Sequence, residues 1–295
     1  MSAAMGISEG ANKYMSKTLM LRRMLRNKFF VIGFVVTAFI LLVTIFSPLI
    51  VRFDPTANSL PERLMAPDGL GRGGHIFGTD ALGRDVFTRL LIGGRSSLSI
   101  AFTIVFLQMA IGAVLGIVAG YAGGVWDTVI MRICDIFLAL PNIILAVAII
   151  AVLGTSTVNL IVVLTLSGWV PYCKVIRNNV RVLTRQEFVY ASKTAGGSHF
   201  WIMRNDLLPN ITTPLIVLAS QKIGLTILIE ASLSFLNLGI QPPTPSWGNM
   251  IADGRQYLAT CPWLVFAPGI ALMFTALAFN FLGDGLRDVL DPKSL

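Results

Sequence analysis

The sequence predicts an all-α integral membrane protein of six transmembrane helices, and three observations carry that expectation. Only 13% of the 295 residues are charged, and the mean hydropathy is +0.75. A soluble domain carries about 25% charged residues, so most of this chain does not face water. The apolar runs, five to six in number, each reach roughly 20 residues, enough for a helix to cross a hydrocarbon core of about 30 Å. Alternating segments of about ten residues, the mark of a membrane β-barrel, are absent.

Residues 1–28 are polar and basic, with Lys13, Lys17, Arg22, Arg23, Arg26 and Lys28 against one acid, Glu9. Such a segment is expected on the cytoplasmic side. Its length, and the length of the apolar run after it, argue for an uncleaved first helix over a signal peptide. That helix, 29–51, reads "FFVIGFVVTAFILLVTIFSPLIV". Residues 52–96 form a Gly- and Pro-rich loop, extracytoplasmic in this topology, whose six arginines are offset by five acids. Its end, "DVFTRLLIGGRSSL", reads as a short amphipathic helix leading into the membrane.

A five-helix core is expected over 97–283, followed by a cytoplasmic tail, 284–295. Its first span, 97–121, carries Gly112, Gly116 and Gly120, with Gly124 just beyond. Glycine at every fourth position makes a flat strip that admits a close neighbour helix; a channel lining is the alternative. The next span, 129–153, opens with Arg132 and Asp135 one turn apart, expected to pair locally, and Pro141 interrupts its hydrogen-bond ladder. A span at 157–173 follows, with Pro171 near its end. A polar segment, 174–210, separates it from a span at 211–236 that contains Lys222 and Glu230. The loop that follows leads to the last span, 262–283.

Charge supports this orientation. Residues 174–204 hold Lys174, Arg177, Arg181, Arg185, Lys193 and Arg204 against Glu187, whereas the loop 240–261 has one basic residue, Arg255. The first pattern is cytoplasmic and the second is not. The net charge of +8 is therefore read as orientation. No soluble basic domain is present to bind nucleic acid.

The segment 190–210, "YASKTAGGSHFWIMRNDLLPN", has its own logic. A helix over Ala191–Ala195 can end at Gly196-Gly197, because glycine tolerates positive φ after a helix. Ser198 can cap the next helix, whose apolar side includes Phe200, Trp201, Met203 and Leu207. Pro209 stops that helix or leads it into the following span. A cytoplasmic two-helix bracket with exposed apolar side chains could dock in a groove of a soluble partner or pack on its own bundle.

Other candidates are fewer. Lys222 and Glu230 could pair, line a pathway or face a sister subunit, and Asn142, after the Pro141 break, could also expose polar groups to a pathway. Trp247 suits an external gate, a docking surface or an interfacial anchor. Cys134, Cys173 and Cys261 have neither CxxC spacing nor a nearby histidine, and read as buried thiols with no metal site. An enzyme is not indicated: there is no GxxxxGK[ST] phosphate loop, no HExxH and no G-x-S-x-G elbow in the sequence.

The bracket resembles the EAA loop of ABC importer permeases, whose pattern is E-A-A-x-x-x-G, nine residues, then I-x-L-P. Ala191, Gly196, Leu208 and Pro209 match it in register. Tyr190, Ser192 and Asp206 stand in place of Glu, Ala and Ile, and Gly197 follows the matched glycine. Four further stretches, "FGTDALGRDVFTRLLIGGRSSL" (77–98), "DIFLALPNIIL" (135–145), "LSFLNLGIQPPTPSWGNMI" (233–251) and "ALAFNFLGDGLRDVLDP" (276–292), look like the dipeptide, oligopeptide and nickel branch of these permeases. The resemblance implies a type I importer permease, the second permease subunit of its transporter, in the cytoplasmic membrane with both termini inside. It implies a homologous permease partner, two cytoplasmic ATPases that bind ATP and Mg, and an extracytoplasmic binding protein, with no cofactor in this chain. In such permeases the bracket seats in a cleft on the ATPase and passes its closing motion to the membrane helices. Short peptides are the expected substrate, nickel or a nickel chelate the alternative. A self-contained secondary transporter or channel, working without ATPases, is the rival of another class.

Overall fold

A computed structural model describes residues 17–69 and 74–290. Most of the basic segment 1–28 and the last residues of the tail, 291–295, lie outside these. No strand forms among the described residues; one isolated bridge joins Thr79 and Asp85. In chain order the helices are α1 (Lys17–Arg26), α2 (Lys28–Ile45), α3 (Ser47–Ile50), α4 (Val86–Ala122), α5 (Gly124–Leu138) and α6 (Asn142–Leu153). They continue with α7 (Thr157–Gly168), α8 (Val170–Leu183), α9 (Glu187–Thr194), α10 (His199–Ile202), α11 (Leu208–Phe235), α12 (Trp247–Gly254) and α13 (Trp263–Leu290).

Five helical stretches are long and apolar enough to cross a membrane, and α5 with α6 makes a sixth if the bent pair counts as one span. The pair bends by 84°, sharper than the interruption expected at Pro141. Proline has no N–H and cannot continue the ladder, so α6 begins anew at Asn142.

Several boundaries differ from the sequence expectation. The first span breaks at Phe46, where Pro48 sits in the first turn of α3, a position proline favours. The amphipathic stretch before the second span is part of one helix, α4, with 37 residues. Asp85 caps it by accepting from the Thr88 N–H. The fourth span runs on through the basic residues to Leu183, as the stretch Thr157–Leu183. The last helix continues to Leu290, where a tail was expected from 284.

The glycine strip is a packing surface. A Cβ on Gly116 would stand 2.7 Å from the Cys173 carbonyl oxygen, and one on Gly120 2.8 Å from that of Arg177. One on Gly112 would overlap Tyr172. The absence of side chains there lets α4 lie backbone to backbone on α8. Gly124 has open space around it and belongs to the start of α5. In the same way Gly33 of α2 sits against the Phe281–Leu282 backbone of α13, and Gly285 against Phe30.

One continuous apolar core links both ends of the bundle. It runs from Val189, Ile202 and Leu207 at the α9–α10 end, through Ile176, Ile117 and Ile211, to Val86, Trp247 and Met250 at the α12 end.

Candidate functional site

The two-helix bracket forms as the residue types dictate. Three hydrogen bonds end α9. The Ala195 N–H donates to Ala191 O, the Gly196 N–H to Lys193 O at 3.1 Å, and the Gly197 N–H to Ser192 O at 2.9 Å. The last two form a Schellman motif, which requires a left-handed residue after the helix. Gly196 supplies it, with φ +83° and open space around its Cα. Gly197 is needed for a different reason, since a Cβ there would stand 2.8 Å from the Ser192 carbonyl oxygen. Ser198 then caps α10, accepting from the Trp201 N–H.

Pro209 does not end the second arm. Residues His199–Phe235 form one continuous helical stretch of 37 residues, about 55 Å at 1.5 Å per residue. A π-helical turn, Met203–Leu207, lies within it, and the Leu208 N–H donates to Met203 O. Proline's ring clashes with the carbonyl four residues back; the widened turn accommodates it. The Asn210 side chain donates to the Asp206 carbonyl at 2.6 Å. The second arm of the bracket is therefore helically continuous with α11.

The apolar side chains of the bracket divide into two groups. Val189, Ile202 and Leu207 are fully buried and seat it on the bundle. Leu207 thus belongs to the core and not to the exposed face. Phe200 (69% exposed), Tyr190 (57%), Trp201 (47%) and Leu208 (41%) point outward. A shallow groove lies beside them, lined by Ala191, Ser192, Ala195, Gly196, Gly197 and Trp201. Large apolar groups exposed on a segment outside the bilayer would mark an interaction site. Asp206, half-buried in the π-helical turn, has an Oδ2 that is buried without a hydrogen-bond partner. It lies within electrostatic reach of Tyr121.

An ion cluster borders the same end. Arg177 of α8 makes a two-pronged pair with Asp127 in the first turn of α5, its Nε to Oδ1 and its Nη2 to Oδ2 at 2.7 Å. Arg181 approaches the same carboxylate at 3.3 Å. Asp135 pairs with Lys174 at 3.2 Å, so the local Arg132–Asp135 pair is not formed. Lys174 is available because α8 brings it alongside α5, a neighbour that spacing along the chain does not reveal.

The intramembrane candidates fare differently. Glu230 is wholly buried between α11 and α4: Ser234 Oγ donates to it at 2.7 Å and Ser97 lies beside it. It faces the interior of this chain, not a pathway surface, and no Lys222–Glu230 ion pair forms among the described residues. Lys222 is half-buried and Asn142 is exposed at the start of α6. Trp247 is buried too, 3% exposed, and its indole N–H donates to the Leu90 carbonyl at 2.9 Å. An interfacial anchor or an exposed docking surface would leave the ring accessible; here it locks α12 to the first turns of α4. The three cysteines are buried.

At that end of the bundle, loop and helices are knitted by charge. Asp80 takes Arg84 at 2.7 Å and Arg89 at 3.4 Å; Arg84 also approaches Asp253 of α12, and Arg63 donates to the Tyr257 hydroxyl. Burial raises the Asp253 carboxyl above the usual range, with Arg84 and Arg89 opposing that shift. Asp80, Arg84, Arg89 and Asp253 border a cavity of about 240 Å³.

Residues 112–295 match the family described as binding-protein-dependent transport system inner membrane component. Residues 18–67 match the N-terminal transmembrane domain of oligopeptide transport permease C. The chain is 39% identical to the dipeptide transport system permease protein DppC of Alkalihalophilus pseudofirmus, over 92% of this chain and 88% of that one. It is 41% identical to a putative peptide transport system permease protein of Brucella abortus, covering 92% and 90%. A glutathione transport system permease protein of Escherichia coli is 42% identical, covering 74% and 72%. Among solved structures, the inward-facing MetNI methionine ABC transporter aligns with a TM-score of 0.54 at 20% identity. The alignment covers 70% of this chain and 98% of that one and speaks to the fold.

Proposed function

Since this chain belongs to the family of binding-protein-dependent transport system inner membrane components, we propose that it lines the route of short peptides through an ATP-driven importer. In this reading it pairs with a homologous permease, two cytoplasmic ATPases supply ATP hydrolysis with Mg, and an extracytoplasmic binding protein delivers the substrate. The bracket end faces the cytoplasm, and so do both termini.

One observation carries the coupling role. The bracket presents Tyr190, Phe200, Trp201 and Leu208 outward while Val189, Ile202 and Leu207 seat it in the core, and its second arm is continuous with α11. An amphipathic helix pair docks by its apolar face, and an arm that continues into a span moves that span with it. Ala191, Ser192, Gly196, Gly197 and Pro209 shape the bracket; Asp206 stands at its π-helical turn. Asn142 and Lys222 remain the candidates for the pathway. Trp247 would act on an external gate from within, by holding α12 on α4.

Peptides are favoured over nickel because the relatives named above are dipeptide, peptide and glutathione permeases. Uptake of labelled di- and tripeptides and of nickel, measured in cells with and without this chain, tests the assignment. ATP-dependent peptide uptake should vanish without it while nickel uptake stays unchanged. Loss of nickel uptake alone would overturn the peptide assignment. Peptide uptake driven by an ion gradient without any ATPase would overturn the importer reading altogether.

A further inference from the structure

Tyr121, in the last turn of α4, touches both arms of the bracket. Its hydroxyl and His199 Nδ1 of α10 lie 2.8 Å apart and share a hydrogen bond. The two rings meet edge to face with centroids 5.7 Å apart. From the other arm, Lys193 Nζ of α9 sits 5.3 Å from the centre of the Tyr121 ring, within cation–π range. The same ammonium lies 5.9 Å from the ring of Tyr190. Tyr121 therefore stands in the angle between the two arms, 78 residues from His199 in sequence.

The other end of α4 is equally held. The Leu90 carbonyl accepts from the Trp247 indole of α12, and Arg89 donates to the Pro55 carbonyl at 3.0 Å. Between these ends α4 is one helix without proline, about 55 Å long. It lies on α8 through a glycine strip that leaves little room for independent bending.

We propose that Tyr121 is a positioning residue that ties the bracket to α4, making α4 a second lever beside α11 and carrying bracket displacement to the α12 end of the bundle. The inference rests on the coupling role of the bracket. The π-helical turn and α11 also pack on α4, through apolar contacts that carry no direction of their own. The Tyr121 tie engages α4 with the same displacement, so the loop end responds when the bracket does. The Tyr121 ring packs against the core that holds Val189 and Ile202, but its hydrogen bond to His199 is polar and at the surface, and Tyr121→Phe or His199→Ala cuts it without emptying the core.

The test uses the full transporter reconstituted with its ATPases and binding protein, and reads peptide molecules taken up per ATP hydrolysed. Tyr121→Phe keeps the ring and removes the hydrogen bond; His199→Ala removes it from the other side; His199→Asn offers both a donor and an acceptor in its place. Tyr121→Ala removes ring and hydroxyl together. The expected result for Tyr121→Ala is a fall in the uptake-to-hydrolysis ratio of at least about fivefold, the lower end of coupling between distant sites, with the ATPases still bound. Tyr121→Phe and His199→Ala should each lower the ratio, and the double variant should be no worse than either. His199→Asn should restore part of it. An unchanged ratio in Tyr121→Ala, in an assembled complex, overturns the inference. Additive effects of Tyr121→Phe and His199→Ala overturn it too. Gly196→Val is the control for the underlying reading: if that variant transports normally, the coupling role fails whatever Tyr121 does. If it uncouples while the Tyr121 variants do not, only the second lever fails.

Discussion

Gly116 of α4 lies so close to Cys173 of α8 that a single added methyl group would stand 2.7 Å from the Cys173 carbonyl oxygen. That carbonyl belongs to the helix backbone and cannot step aside as a flexible side chain would. The contact converts a spacing of glycines into a backbone-to-backbone pairing of α4 with α8.

Gly116→Leu should therefore separate α4 from α8. Overpacking of a closed site costs about 1–3 kcal/mol, and the neighbouring contacts at Gly112 and Gly120 would be strained with it. Thermal unfolding of the detergent-purified chain should show a lower midpoint. Gly269→Leu in α13 should not lower it by this route, since nothing lies within 4 Å of a Cβ at that position.

Gly196→Val should uncouple the bracket while leaving membrane insertion intact. A β-branched residue at φ +83° costs about 1–3 kcal/mol, enough to unwind the Schellman turn and swing α9 away from α10. Gly196→Asn, which tolerates the left-handed region, should retain more uptake than the valine variant. Equal uptake in the two would mean that the turn geometry is not what matters. Peptide uptake in reconstituted vesicles, with ATPase association as control, distinguishes these outcomes.

The pairing of Asp127 with Arg177 predicts an asymmetry between conservative variants. Arg177→Lys should destabilise nearly as much as Asp127→Ala, because an ammonium cannot make the two-pronged contact with Oδ1 and Oδ2. Charged hydrogen bonds of this kind contribute about 1.5–3 kcal/mol. A thermal denaturation series with the double variant isolates the pair's own contribution.

Glu230→Gln should leave peptide uptake nearly unchanged. The side chain is wholly buried, its Oε1 accepts from Ser234 and its Oε2 has no close hydrogen-bond partner, so the amide oxygen can take over the Ser234 bond. Glu230→Ala should lower the unfolding midpoint by leaving a cavity between α11 and α4. Loss of transport in the Gln variant with normal stability would return Glu230 to the pathway.

Trp247→Phe should weaken the α12–α4 joint without changing affinity for the binding protein. It removes the N–H donated to the Leu90 carbonyl, a second bond on a carbonyl inside α4, at a cost of about 0.5–1.5 kcal/mol. Unfolding midpoints and binding-protein titrations separate this internal role from a docking one.

What the sequence by itself determined was everything governed by neighbours along the chain. Apolar runs long enough to span a bilayer, the left-handed demand at Gly196, the Ser198 cap and the helix interruption at Pro141 are local backbone chemistry, legible in a window of a few residues. The fourfold glycine spacing announced a flat helix face, though not which helix would lie on it. Tertiary structure alone decided the rest. It made Lys174 the partner of Asp135, drew Trp247 and Glu230 inside, ran α8 on to Leu183 through residues that looked like a loop, and set Tyr121 between Lys193 and His199. The reason is physical: a side chain's partner is selected by which helices pack together, and packing joins residues dozens of positions apart whose types and spacing carry no mark of the meeting.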